Sequence, residues 1–276
     1  MAAVVTTVWL GTAGWSYFPD WVGPFYPAGT RPADALARYS EAFRFVEVDS
    51  TFYAAPAPET IEHWAEIMPA DFRIAVKAPR ALVQETGLHP PDAAFDHFCH
   101  VLLAPLGDRL ARVVVQMPPT FDRQPEHDVA LRAFCGRWAG EVPLAIELRD
   151  PSWLVDPVTE LLAVNDVAWV CNDMVGMPRI AHRTARSCAY VRLLGWHGGL
   201  DDTSDVRRPQ PGGRRFWVEQ IQAWATDGLD DVFIVVNNHY EGHAPATVRA
   251  LAEALAGTTV TLAIGAGLPE GQLRLF

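Results

Sequence analysis

Phe45-Val46-Glu47-Val48-Asp49-Ser50-Thr51-Phe52-Tyr53 is the stretch on which the reading of this chain turns. Side chains of an extended strand alternate with a period of two. Val46 and Val48 therefore share one face, and Glu47 and Asp49 share the other. Carboxylates on the inner face of a strand are costly unless paired, protonated or bound to a ligand. The same layout, an apolar run closing on polar residues, returns along the chain. Phe72–Pro79 carries Lys77, Arg112–Pro118 carries Gln116, and Pro143–Asp150 carries Glu147 and Arg149. Ala168–Asp173 ends in Asn172-Asp173, Cys188–Gly195 contains Arg192, and Asp231–Asn238 ends in Asn237-Asn238.

With an opening strand over Val8–Trp15, these runs make eight strands. Apolar periodicity predicts helices over 32–42, 58–68, 92–106, 127–139, 157–165, 214–227 and 244–256. Strands and helices in alternation, joined by short connections, predict a parallel sheet closed as a (β/α)8 TIM-type barrel. It would occupy residues 1–257 as one domain, with 258–276 as a C-terminal tail. Residues 174–186 show no helical pattern, so the connection from the sixth to the seventh strand is expected to be irregular. An open doubly wound sheet would also alternate, but no GxGxxG or GxxxxGK turn follows any strand.

The chain has 276 residues, half of them hydrophobic, and a formal net charge of −11. Such acidity argues against nucleic-acid binding by the surface as a whole and leaves room for a local basic face. Cys99, Cys135, Cys171 and Cys188 form no CxxC pair, so buried free thiols and a reducing cytoplasm are expected. The segment MAAVVTTVWLG lacks a positive n-region, and no apolar run reaches membrane length.

In a barrel of this kind the site forms at the C-terminal ends of the strands. Glu47, Asp49, Lys77, Gln116, Glu147, Arg149, Asp173, Arg192, Asn237 and Asn238 all fall there. Glu47 and Glu147 are the candidate catalytic acid and base. Lys77, Arg149 and Arg192 would hold a phosphate or carboxylate. Asp49, Gln116, Asp173, Asn237 and Asn238 complete the expected substrate-binding set. The same groups would also serve as an internal ion-pair network without chemistry. A divalent Mg2+ or Mn2+ on Glu47, Asp49, Glu147 and Asp173 is conceivable, although the spacing matches no known pattern. His182, His197, His239 and His243 could approach this face, but none lies in an HExxH motif. From Arg179 to Arg215 eight arginines face three aspartates, with Trp196 and Trp217 between them. This reads either as a basic loop with aromatic platforms for bases or sugars, or as a solvated loop and helix face.

Several motifs carry a resemblance. GTAGWSY, W-x-G-x-F-Y-P and F-x-x-V-E-V-D-S-T-F-Y come first, followed by FRIAVKAPR, QMPP-x-F, AIELRDPSW, YVRLLG and VVNNHYEGHAPAT. In this order, from about Val8 to Leu255, they resemble the domain of unknown function 72 family, also called YecE-like. The resemblance implies a TIM-type barrel and no firmly assigned reaction. Two departures stand out. The family's usual Glu-x-Asn reads Glu47-Val48-Asp49 here, and Leu194 takes the place of a His found in many members.

After a Gly- and Pro-rich stretch, Gln272-Leu273-Arg274-Leu275-Phe276 is similar to the Gln-Leu-x-Leu-Phe peptide that docks bacterial replication and repair proteins on the sliding clamp. Leu273, Leu275 and Phe276 would fill an apolar groove, and Gln272 would make polar contacts. The rival expectation is that the tail packs on its own barrel, with Thr258–Ile264 as a last strand. These features point to a hydrolase or lyase on a phosphate-containing substrate, nucleic acid or phosphorylated small molecule, linked to DNA repair or replication through that peptide. The alternatives are a sugar isomerase or glycosidase-like enzyme, favoured by acidic charge and ten tryptophans, and a noncatalytic binding module.

Overall fold

Period-two alternation organises the protein around two apolar surfaces. A computed structural model describes residues 5–90, 92–196, 198 and 200–265. The strands are β1 Thr7–Ala13, β2 Phe45–Val48, β3 Arg73–Lys77, β4 Leu110–Gln116, β5 Leu144–Glu147, β6 Ala168–Met174, β7 Cys188–Gly195 and β8 Asp231–Val236. Each pairs in parallel with the next, and β1 pairs with both β8 and β2, which closes the (β/α)8 barrel. Outward residues such as Leu10, Val46, Ile74, Val115, Ile146 and Ile234 pack under the surrounding helices. Inward residues Phe45, Ala75, Val114, Ala145, Val170, Tyr190 and Val235 fill the middle of the barrel. Below them Trp9 stacks on Phe233 at 6.1 Å, and the Arg73 guanidinium lies over Trp9 at 5.1 Å. The next inward position toward the C-terminal end carries a polar residue on β2 to β7 (Glu47, Lys77, Gln116, Glu147, Asn172 and Arg192), whereas on β1 it is Ala13.

The helices are α1 Ala35–Ala42, α2 Pro58–Ile67, α3 Arg80–Val83, α4 Asp92–Asp96, α5 Pro125–Trp138, α6 Asp156–Val164, α7 Pro211–Thr226, α8 Asn238–Glu241 and α9 Ala244–Leu255. Proline stands in the first turn of α2, α5, α6, α7 and α9. There its missing N–H costs nothing and its fixed φ suits the helix. The continuous helix expected over 92–106 is interrupted. After α4 the chain takes a wider turn over His97–Leu102 and a tighter one over Ala104–Arg109. Pro105 cannot continue the α-helical ladder, and Gly107 adopts φ 51°.

The β6–β7 connection is irregular, as its sequence predicts. Its place against the barrel is held by side chains instead of a helix. Trp169 N donates to Thr184 Oγ1 at 2.8 Å, Thr184 Oγ1 donates to Val167 O at 2.6 Å, and His182 stacks on Trp169 at 3.9 Å. Burial pushes His182 down to about 4, so it packs as a neutral ring.

A ninth strand, β9 Thr261–Ala263, pairs with Thr7–Trp9 of β1. β2 reaches β1 only at Gly11–Ala13. The lower half of that seam would leave β1 backbone groups unpaired, and β9 satisfies them. Gly265 N then donates to Ala42 O at 2.9 Å, next to an antiparallel bridge between Ile264 and Phe43. No helix among the described residues is long and apolar enough to cross a membrane.

Candidate functional site

Glu47, at the end of β2, is fully buried. Its Oε1 accepts from Arg192 Nη2 at 2.7 Å, and its Oε2 accepts from Tyr190 Oη at 2.8 Å. Glu147, at the end of β5, is also fully buried. Its Oε1 accepts from Arg149 Nε at 2.7 Å, and its Oε2 accepts from Arg192 Nη1. One guanidinium thus joins both carboxylates across the barrel. The Gln116 Oε1 between them accepts from Lys77 Nζ at 2.8 Å, Arg149 Nη2 at 3.0 Å and Arg192 Nη1 at 3.3 Å. Asp49 stands above, its side chain 29% exposed, with Lys77 Nζ at 3.6 Å and Arg192 Nη2 at 3.5 Å from its Oδ1. Phe52 covers Lys77, whose ammonium lies 4.5 Å from the ring centroid. Parity brings these groups together, since Lys77, Gln116, Glu147 and Arg192 all occupy inward positions.

The two glutamates are electrostatically unlike. Burial pushes the Glu47 carboxyl up, Arg192 opposes this, Asp49 adds to it, and the result is about 7. Burial alone would also raise Glu147, but Arg192, Arg149 and Lys77 together hold it down to about 2. Asp49 is held below the usual carboxylate range, since Lys77, Arg192 and a hydrogen bond from Glu47 outweigh its burial. Lys77 is lowered, by burial first and by Arg192 second. Tyr17 borders the group. It donates to Ala13 O at 2.5 Å, and burial, followed by Asp49 and Glu47, raises its phenol. The site is therefore a proton-holding carboxyl beside an ionised one, within a frame of three cations. It can transfer a proton near neutral pH and accept an anion.

A family model, "Protein of unknown function DUF72", matches residues 9–273. The chain belongs to the DUF72 family. It is 28% identical over 279 residues to UPF0759 protein YunF of Bacillus subtilis (strain 168), covering 90% of this chain and 94% of that one. Two solved DUF72 proteins share the fold. One from Enterococcus faecalis V583 has a TM-score of 0.73 at 19% identity, covering 91% of this chain and 98% of that one. The other, from Thermotoga maritima MSB8, has a TM-score of 0.70 at 22% identity, covering 90% and 99%.

Not every expected site residue of this DUF72 barrel joins the network. Asp173 follows the inward Asn172 and so points the opposite way. Its Oδ2 accepts from Arg179 Nε at 2.8 Å, Trp217 Nε1 at 2.9 Å and Tyr240 Oη at 2.9 Å. Asn237 and Asn238 serve backbone caps. Asn237 Oδ1 accepts from His239 N, and Asn238 Oδ1 accepts from Ala244 N, each at 2.9 Å. The four carboxylates considered for a divalent cation do not form one cluster. Arg192 lies between Glu47 and Glu147 as their counter-ion, and Asp173 is elsewhere. Among the described residues no three His, Cys, Asp or Glu side chains are grouped to hold a metal ion. His243 Nδ1 is bonded to Thr203 O at 2.8 Å, and His197 lies outside the described residues.

Two members of the DUF72 site escape a strand-end search. Tyr190 was legible, because in CAYVRLLG it shares parity with Arg192. Tyr17 was not, because its place over the mouth depends on the path of the loop after β1. Trp196 alone among the tryptophans is exposed, so tryptophan abundance reflects the core and gives little support to carbohydrate stacking. The Gln272–Phe276 peptide lies outside the described residues.

Proposed function

We propose that this protein is an enzyme acting by acid–base catalysis on a phosphate-containing substrate at the C-terminal mouth of the barrel, as a phosphodiester hydrolase or lyase. One observation carries the reading: Glu47, pushed up to about 7, lies beside an ionised Asp49 in a ring of cations. A carboxyl poised near neutral pH both gives and takes a proton with little penalty. When Glu47 holds its proton, Lys77, Arg149 and Arg192 outnumber the ionised Asp49 and Glu147 by one charge, which suits an incoming anion. Lys77 and Arg149 are the cations nearest the mouth, with side chains 8% and 12% exposed. Glu147 holds the two arginines in place, and its depressed pKa makes it a positioning residue, with proton transfer falling to Glu47.

The residue pattern Gln272-Leu273-Arg274-Leu275-Phe276 supports delivery of this activity to DNA through the sliding clamp. Hydrolysis of bis(p-nitrophenyl) phosphate, together with binding of inorganic phosphate, tests the core of the reading. The expected result is turnover that Glu47→Gln abolishes and phosphate binding that Lys77→Met weakens. Phosphate binding indifferent to Lys77→Met, with no turnover by the wild type, would leave the network as an ion-pair core only.

A further inference from the structure

The ring of polar side chains at the mouth has a member on β6 that stands apart from the network. Asn172 faces inward with Ala168 and Val170 and is 5% exposed. Strand pairing sets it beside Arg192 of β7, and register partners present their side chains to the same face. The side-chain oxygens of Glu47, Glu147 and Gln116 all accept bonds from neighbours. Among the described residues Asn172 Oδ1 has no hydrogen-bond partner. Neither has Nε of Arg192, although both terminal nitrogens of that guanidinium are engaged.

Buried polar groups are nearly always paired, because an unmet donor or acceptor loses its bonds to water without replacement. Here two such groups of opposite sense stand on paired residues, an acceptor on β6 and a donor on β7, inside the layer that forms the site. The work of the fold is done elsewhere. Asp173 faces out of the barrel and bonds Arg179, Trp217 and Tyr240, a wall that ties β6 to α7 and α8. Asn237 and Asn238 spend their amide oxygens on backbone caps. The oxygen of Asn172 does neither. An ionised phosphate does not complete the pair, since its oxygens only accept. A hydroxyl does, since it donates to Oδ1 and accepts from Nε at once.

We infer that Asn172 Oδ1 and Arg192 Nε form a hydroxyl seat beside the phosphate seat, so that the ligand is a phosphate ester carrying a free hydroxyl. The inference deepens the proposed function and rests on it for the phosphate, which sits at Lys77 and Arg149. Lys77, Arg149 and Arg192 converge on Gln116 Oε1, so the two seats meet at the Arg192 guanidinium. A site built to bond a hydroxyl rejects the analogue that lacks one, because its own buried groups then stay unpaired.

Calorimetric titration of the full chain with glycerol 3-phosphate and propyl phosphate, which differ only in hydroxyl groups, tests this. The wild type is expected to bind glycerol 3-phosphate about tenfold or more tightly. Asn172→Leu should erase that preference and leave propyl phosphate affinity unchanged. Its melting temperature should stay equal or rise, because an apolar group replaces an unpaired polar one. A residue that merely supported the barrel would lower the melting temperature and weaken both esters alike. Asn172→Asp keeps the acceptor, so the preference should persist while its charge weakens both esters. Tighter binding of the ribodinucleotide UpU than of glycerol 3-phosphate supports the seat with a nucleic-acid chain as the source of the hydroxyl. Weaker binding supports it with a free polyol phosphate. Equal affinities of the wild type for the two esters, or a preference that survives Asn172→Leu, overturn the hydroxyl seat. If Lys77→Met still weakens both esters in that case, the phosphate seat stands. A preference that Asn172→Leu removes, with no effect of Lys77→Met on either ester, keeps the hydroxyl seat and removes the phosphate seat. No binding of either ester overturns both.

Discussion

Nη2 of Arg192 lies 2.7 Å from Oε1 of Glu47, 145 residues earlier in the chain, and the two side chains are 2% and 0% exposed. The other terminal nitrogen of the same guanidinium holds Glu147. Taking one partner away from a buried pair leaves a charge that water cannot reach. Arg192→Met should therefore lower the unfolding free energy by about 3–5 kcal/mol, read from urea denaturation. Arg192→Lys should recover little, because an ammonium lacks the planar fork that bridges two carboxylates. A loss under about 1 kcal/mol, the range of an exposed pair, would contradict this picture.

Glu47 gives the stability a distinct pH dependence. Burial pushes its carboxyl up to about 7 when folded, against an ordinary value of 4.5. The folded state therefore binds the proton more tightly, and the stability this provides is complete below 4.5 and lost as pH rises through 7. The linkage is worth at most about 3.5 kcal/mol, at about 1.4 kcal/mol per unit. Glu147 has the opposite sign. Held to about 2, it contributes stability above 4.5 that disappears as pH falls through 2. Denaturation midpoints of wild type and Glu47→Gln, compared between pH 4.5 and 7.5, should converge at the acid end and move against the wild type toward neutrality. Parallel curves would show that Glu47 titrates normally.

Asp49→Asn tests the coupling of the two carboxyls and installs the residue usual in the family. Asp49 raises Glu47 by repulsion, so its neutralisation should shift the Glu47 midpoint downward. Asp49 also helps keep Lys77 charged, so the Lys77 midpoint should fall as well. Carbon-detected NMR titration of both side chains measures the shifts. An unmoved Glu47 would mean that burial alone sets its value.

Gly213 is the tightest point of the wall around Asp173. Its added Cβ would meet Tyr240 Oη at 2.1 Å, with Arg179 Nη2 and Asp173 Oδ2 each at 3.3 Å. Gly213→Ala should displace Tyr240 and cost about 1–3 kcal/mol through overpacking, although alanine normally favours a helix. Thermal denaturation reads the cost. A stabilised variant would show that the cluster rearranges freely.

Under the proposed docking, removal of Gln272–Phe276 should abolish sliding-clamp binding and leave the melting temperature within about a degree. Surface plasmon resonance with an immobilised clamp and parallel calorimetry check both parts. A large drop in melting temperature without clamp binding by the full chain would mean that the peptide packs on the barrel.

The barrel was legible because its code is local. Alternation in FRIAVKAP, RVVVQMP and PLAIELRD decides which side chains point inward, and proline in the first turn of a helix marks where it starts. Position at the strand ends marked Glu47, Lys77, Gln116, Glu147 and Arg192 as site residues, and their shared parity accounts for their meeting on one inner layer. Asp173 was expected in the same set but lies outside the layer, because a polar pair at a strand end presents one residue to each side. Membership of the layer followed from the sequence; chemical character did not. Glu47 and Glu147 look alike in sequence, yet one is pushed up to about 7 and the other held down to about 2. The difference is that Arg149 and Arg192 converge on Glu147, while Tyr190 and Asp49 share the surroundings of Glu47. Strand register and barrel closure set those distances, and Coulomb energies in a buried site depend steeply on them. The alternation of the chain determined which groups meet. Only the tertiary structure decided which of them keeps a proton.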